Sequence, residues 1–219
     1  MKKFGFAAAA AIAFATISTS AVAADGQFFV AGSLGQSNFN SSFADSTGSH
    51  DRTDTQGALR LGYAWHSGSL DYGVEAGYAD LGKTSTQGSY VALIRGLLLV
   101  ERVDYRDQFS AKGGMVGGNL KYSFRSWYVS GHAGWFNSKV ASENNQIFTP
   151  VYFPANTFPS NTRYSHVRDS VTSTNEYVGV GAGYNVSRSW SIGVGYDYYD
   201  LGSDYGHGNA YSATAEFRF

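Results

Sequence analysis

The strongest pattern in the chain is strict alternation. Near the end, Tyr211, Ala213, Ala215, Phe217 and Phe219 share one face of an extended segment, and Ser212, Thr214, Glu216 and Arg218 share the other. Successive side chains of a strand point to opposite sides, so this segment carries one apolar and one charged surface. Such a strand fits the wall of a transmembrane barrel, with lipid outside and a polar lumen inside. The same period recurs upstream and predicts eight strands in all: 27–38, 57–65, 70–79, 110–124, 127–136, 175–186, 190–199 and 209–219. Their lengths are near the ~9–11 residues that cross a bilayer at a tilt.

The phase of each strand assigns its faces. Leu59, Leu61, Tyr63, Trp65, Tyr72, Val74, Tyr78, Val116, Leu120 and Tyr122 are expected to point out, as are Val129, Val178, Val180, Ile192 and Val194. Arg60, Asp71, Glu75, Met115, Asn119, Lys121, Ser130, His132 and Asp197 are expected to point in. The first strand alternates least cleanly, because Phe28, Val30 and Leu34 face lipid while Phe29 falls on the inner face.

The connections sort by length. Short turns at 66–69, 125–126 and 187–189 alternate with longer connections at 39–56, 80–109, 137–174 and 200–208. Outer-membrane barrels have short periplasmic turns and long extracellular loops, whereas a soluble sandwich has no reason to sort its loops. The most apolar run, Val91 to Val100, falls in the second long connection. Counted as a ninth crossing it would break this order, so a strand hairpin above the membrane, or a loop on the rim, is expected there. A surface that binds lipid or a partner is the other reading of the run.

Composition narrows the class. The chain is 16% aromatic and holds 27 glycines, yet its mean hydropathy is −0.24. A helical membrane protein is excluded, while an apolar face spread over alternate residues is accommodated. Pro150, Pro154 and Pro159 sit together and are expected outside the strands, since proline cannot donate to a ladder. There is no cysteine, hence no disulfide, thiolate metal site or cysteine nucleophile.

The N-terminus reads as a signal peptide over 1–23: basic Lys2-Lys3, an apolar run and Ala21-Val22-Ala23, with cleavage expected after Ala23 or Ala24. The barrel then occupies 24–219. Losing two lysines moves the formal net charge from −1 to about −3. No basic patch points to nucleic acid.

Aromatic positions gather at strand ends. Tyr63, Trp65, Tyr122, Phe124, Trp127, Trp190, Phe217 and Phe219 flank the short turns, and Tyr78, Trp135, Tyr198 and Tyr211 flank the long connections. Two such belts, with Trp65, Trp127, Trp135 and Trp190 as anchors, are expected at the two membrane–water boundaries. Inside, Arg60, Glu75, Lys121, His132, Asp197, Glu216 and Arg218 share the lumen. Eight strands leave room for side chains but no wide channel. Buried charges persist when paired, so a salt-bridge network is expected, with a gated ion path as the alternative. Ser130 and His132 share the inner face, but no acidic partner for a catalytic pair is evident. His50, His66, His166 and His207 form no ligand-spaced pair, so neither metal nor cofactor is expected.

The alternation, the AVA cleavage site, the terminal Ala215-Glu216-Phe217-Arg218-Phe219 and the paired phrases Gly77-Tyr-Ala-Asp-Leu-Gly82 and Gly195-Tyr-Asp-Tyr-Tyr-Asp-Leu-Gly202 carry a resemblance. The chain resembles the small outer-membrane β-barrel family that includes the OmpA membrane domain and OmpX. The resemblance implies an all-β, eight-stranded antiparallel up-and-down barrel in the outer membrane of a Gram-negative bacterium. It implies that Phe217 and Phe219 are read by the outer-membrane assembly machinery. It also implies a lumen plugged by an interior network, with Arg60, Glu75, Lys121 and Glu216 in that part.

Three function classes follow. The first is a non-enzymatic envelope and surface protein whose loops meet lipopolysaccharide, host or phage, within a membrane of outer-membrane lipid. The second is a small porin-like channel, distinguished by whether the inner charges close the lumen. The third is a lipid A-modifying enzyme. The first is the expected one, as a monomer without catalytic residues.

Overall fold

The structure, a computed structural model, describes residues 26–40, 49–94, 99–151, 162–203 and 205–219. The expected signal peptide lies outside the described residues. None of the described residues is helical. The strands are β1 Gly26–Asn40, β2 Ser49–Asp51, β3 Thr53–Ser67, β4 Leu70–Ile94, β5 Leu99–Phe124, β6 Trp127–Val151, β7 Arg163–Asn185, β8 Trp190–Asp200 and β9 His207–Arg218.

Eight of them form a ring. Each pairs antiparallel with its sequence neighbours, and β1 pairs with β9 to close it, while the short β2 adds to β4 beside the ring. Closure satisfies every ladder within the wall, which is what a bilayer demands of a sheet. The expected faces are the observed ones: Val116, Val129, Val180 and Val194 are exposed, while Phe29, Glu75, Met115 and Lys121 are buried. An apolar exterior around the full circumference has lipid as its solvent. At the short-turn end, Gly68 takes φ 65° and Arg125 φ 59°, each the first residue of a two-residue hairpin loop.

Two of the expected long connections, 80–109 and 137–174, are largely strand. The β4–β5 ladder runs from Leu70 opposite Tyr122 to Ile94 opposite Leu99, and the β6–β7 ladder reaches Phe148 opposite Arg163. A four-stranded antiparallel sheet, β4-β5-β6-β7, therefore projects beyond the ring. Alternation is a poor guide to such strands, because charged and apolar side chains share a face: Glu101 and Val103 are both buried on one side of β5, with Arg102 exposed on the other. The described part of the Val91–Val100 run, 91–94 and 99–100, lies in the ends of β4 and β5. Pro150 corrects the expectation that prolines avoid strands: it lies in β6 opposite Glu101, beyond the last β6–β7 pair, where one side of β6 is an edge. Pro154 and Pro159 lie outside the described residues.

The paired Asp-Leu-Gly phrases have one geometry. Asp80 Oδ1 accepts from the Gly82 N–H at 2.9 Å and Asp200 Oδ1 from the Gly202 N–H at 2.8 Å. Gly82 has φ 79° and Gly202 φ 94°. Each phrase is an aspartate-capped turn that needs a left-handed glycine. In β4 the turn coincides with a register shift between Asp80 and Lys83, and there the strand leaves β3 to enter the projecting sheet. Both turns drive a leucine inward: Leu81 and Leu201 are 1% and 0% exposed.

Candidate functional site

The lumen holds two charged layers and one apolar layer. Nearest the short turns, β9 supplies Glu216 and Arg218, β4 supplies Asp71 and β5 supplies Lys121. Arg218 Nε donates to Glu216 Oε1 at 2.8 Å, and Arg218 Nη1 donates to Asp71 across the lumen. Lys121 Nζ donates to Glu216 Oε1 at 3.0 Å and to Ser191 Oγ at 2.8 Å, and lies 4.1 Å from the centre of the Tyr128 ring. Two carboxylates thus meet two cations, with Lys121–Glu216 and Arg218–Asp71 reaching across the lumen.

The second layer gathers residues from five strands. Arg60 Nη1 lies 3.9 Å from Glu75 Oε1 and 2.8 Å from His132 Nδ1. His132 Nε2 lies 2.6 Å from Asp197 Oδ1, and Tyr177 Oη donates to Glu75 Oε1 at 2.9 Å. Arg60 Nη1 also lies 3.1 Å from His132 Nε2, so the guanidinium sits against the ring. Among the charged side chains remains a cavity of about 60 Å³, lined in part by Arg60, Lys121, Ser130 and Asp197. That is space for a few waters.

Toward the long hairpins the lumen turns apolar. Phe39, Leu81, Met115, Phe136, Val140 and Leu201 are buried together with Tyr177 and Tyr199. Phe136 packs on Tyr199 with ring centres 5.0 Å apart, and Tyr199 stacks on Tyr177 at 6.1 Å. Packing of this kind leaves little room between side chains.

Arg60, Glu75, Lys121, His132, Asp197, Glu216 and Arg218 all lie in this interior and are joined by the contacts above. Sequence reasoning put Asp71 on the inner face without making it a partner, and missed Tyr177, Tyr199 and the apolar layer. Strand phase carried part of the signal, since Phe136 shares the inner face of β6 with His132. The Ser130-Gly131-His132 candidate gains an acidic neighbour, Asp197 from β8, that sequence did not reveal. Yet both ring nitrogens of His132 face Asp197 and Arg60, and Ser130 is not among its hydrogen-bond partners.

Outside, the short-turn belt is a chain of ring contacts. It links Trp190 to Phe217 (4.9 Å), Phe219 (6.0 Å), Phe28 (6.1 Å), Tyr63 (4.9 Å), Trp65 (5.2 Å) and Tyr72 (5.8 Å). Trp127 meets Tyr184 at 5.5 Å. Trp135 is exposed eight residues beyond Trp127 on β6, where the spanning part of the strand ends. The projecting sheet carries its own pairs: Arg163 Nη2 donates to both oxygens of Glu101 at 3.0 and 2.9 Å, and Arg168 Nη2 to Glu143 Oε2 at 3.1 Å.

A closed antiparallel ring with an apolar exterior, aromatic belts and a charged lumen defines a transmembrane β-barrel of the outer membrane. The chain belongs to the outer membrane protein beta-barrel domain family, whose model matches residues 7–219. It resides in the outer membrane of a Gram-negative bacterium. Solved structures similar to it include the attachment invasion locus protein Ail of Yersinia pestis, at 15% identity over 90% of this chain and 100% of that one, TM-score 0.45. OprG of Pseudomonas aeruginosa is similar at 14% identity over 89% and 96%, TM-score 0.41. The outer membrane protease OmpT of Escherichia coli is similar at 11% identity over 89% and 96%, TM-score 0.42. No curated protein matches the chain.

Proposed function

We propose that this barrel is a closed membrane anchor that presents the β4–β7 sheet to the exterior for recognition of host or phage surfaces, acting as a monomer without catalysis. The observation that carries this reading is the apolar layer across the lumen, above which the sheet stands. An ion passing Phe39, Leu81, Phe136 and Leu201 would leave its hydration shell with no polar group to replace it. A rigid scaffold that displays extended segments commonly places function on them. Catalysis by Ser130 and His132 is disfavoured because the histidine is held by Arg60 and Asp197.

The test combines conductance with binding. Refolded protein in a planar bilayer is expected to be silent at high occupancy, and discrete salt-dependent openings would make it a channel instead. A variant with residues 84–109 replaced by a tight turn is expected to insert normally and to lose binding to host-cell or phage surfaces. Unchanged binding would move recognition away from this sheet.

We also propose that Phe217 and Phe219 serve as the assembly signal. Phe219 is exposed, stacks on Phe217 and Phe28, and its N–H donates to the Phe28 carbonyl at 3.0 Å. Deleting Phe219 is expected to lower the yield of inserted, heat-modifiable barrel in cells severalfold. Undiminished insertion would assign the residue to the belt alone.

A further inference from the structure

We infer that Lys83, Lys112 and Lys139 form an outward-facing site for the phosphates of lipid A, the lipopolysaccharide anchor of the outer leaflet. This rests on the orientation with the long hairpins outside. Lys112 and Lys139 are directly opposed in the β5–β6 ladder, and Lys83 sits beside them, opposite Ser110 in the β4–β5 ladder. All three are exposed. Directly opposed residues bring their Cβ atoms to about 5 Å, and like charges so placed destabilise a sheet. A bridging anion removes that repulsion.

Height selects the anion. Lys112 lies 12 residues above Phe124 on β5, and Lys139 lies 12 residues above Trp127 on β6. That is about 40 Å along a strand, or about 30 Å of height at a ~40° tilt. The apolar band of such barrels is about 25 Å tall, so both ammonium groups fall just outside it, where headgroup phosphates lie. On β6 the interfacial Trp135 stands two same-face positions below Lys139.

Pairing separates these lysines from the cations higher on the sheet. Arg102, Arg163 and Arg168 pair with Asp104, Glu101 and Glu143 at 3.0, 2.9 and 3.1 Å. Among the described residues, no ion pair engages Lys83, Lys112 or Lys139. Two carboxylates lie beside them, and both already accept backbone hydrogen bonds: Asp80, opposite Lys112, from the Gly82 N–H, and Asp54 from the Lys83 N–H at 2.7 Å. Three ammonium groups outnumber the two engaged carboxylates and leave a net positive site for a phosphate headgroup.

The experiment uses the protein in phosphatidylcholine nanodiscs, with Trp135 fluorescence as a local reporter. It is titrated separately with bisphosphorylated lipid A, dephosphorylated lipid A and phosphatidylglycerol. Bisphosphorylated lipid A is expected to bind at least tenfold more tightly than either of the others. The Lys83→Gln/Lys112→Gln/Lys139→Gln variant is expected to lose that preference, and the triple Lys→Arg variant to keep it, both with the heat-modifiable migration of a folded barrel. Equal binding of the dephosphorylated form, equal binding of phosphatidylglycerol, or a preference that survives in the Gln variant would overturn the assignment. Conductance and cell-surface binding do not enter this result, so its failure leaves the proposed function standing, and the reverse.

Discussion

Glu216→Ala is expected to destabilise the barrel by about 3–5 kcal/mol, the cost of leaving buried charge without its partner. Glu216 is the carboxylate that both Lys121 and Arg218 contact, at 3.0 and 2.8 Å. Its removal leaves two buried cations facing Asp71 alone. Urea unfolding of the protein folded into lipid vesicles, followed by tryptophan fluorescence, measures this directly, since Trp65, Trp127, Trp135 and Trp190 are all exposed to lipid and headgroup. Replacing both partners, as Lys121→Met with Glu216→Leu, is expected to recover much of the loss, because no charge is then left unpaired. A wild-type midpoint in the single variant would show the layer to be solvated. Glu75→Ala is the milder case: Arg60 is 3.9 Å from Glu75 and keeps its contact with His132.

Phe136→Ala is expected to cost about 3–5 kcal/mol, through lost burial and an unfilled cavity. Phe136 is 0% exposed and packs on Tyr199 in the apolar layer. The informative control is Val129→Ala on the same strand, which faces lipid. Lipid chains fill the space left there, so its cost is expected to be a small fraction of the Phe136 value. Equal costs in the same unfolding experiment would mean that the apolar layer is not a packed core. The altered Phe136 barrel is still expected to be silent in conductance, because the two charged layers below it remain.

These two variants divide along what sequence could reveal. Glu216 was legible, since the charges of β9 alternate with aromatics that must face lipid, so its side of the wall follows from one strand. Phe136 was not, although its strand was. An inward phenylalanine at the end of a membrane strand reads as an exception to a polar lumen until neighbouring strands supply Leu81, Leu201 and Tyr199. The Asp-Leu-Gly phrases show the same division. Their repetition was visible, but the inward turn of each leucine required the left-handed glycine to be seen.

The alternation along the chain determined the eight strands, the side each faces, the order of short and long connections and the two belts, because a bilayer tests every residue of a spanning strand independently. Tertiary structure alone decided which inward charges meet, since Lys121 and Glu216 come from opposite walls and local pattern holds no information across a lumen. It also decided that 137–174 is largely strand, and that the expected hairpin, not a rim loop, occupies 80–109. Above the membrane polar and apolar side chains share the faces of the sheet, with Glu101 buried on the same side as Val103, so neighbouring strands hold it together and no clean hydrophobic period records it.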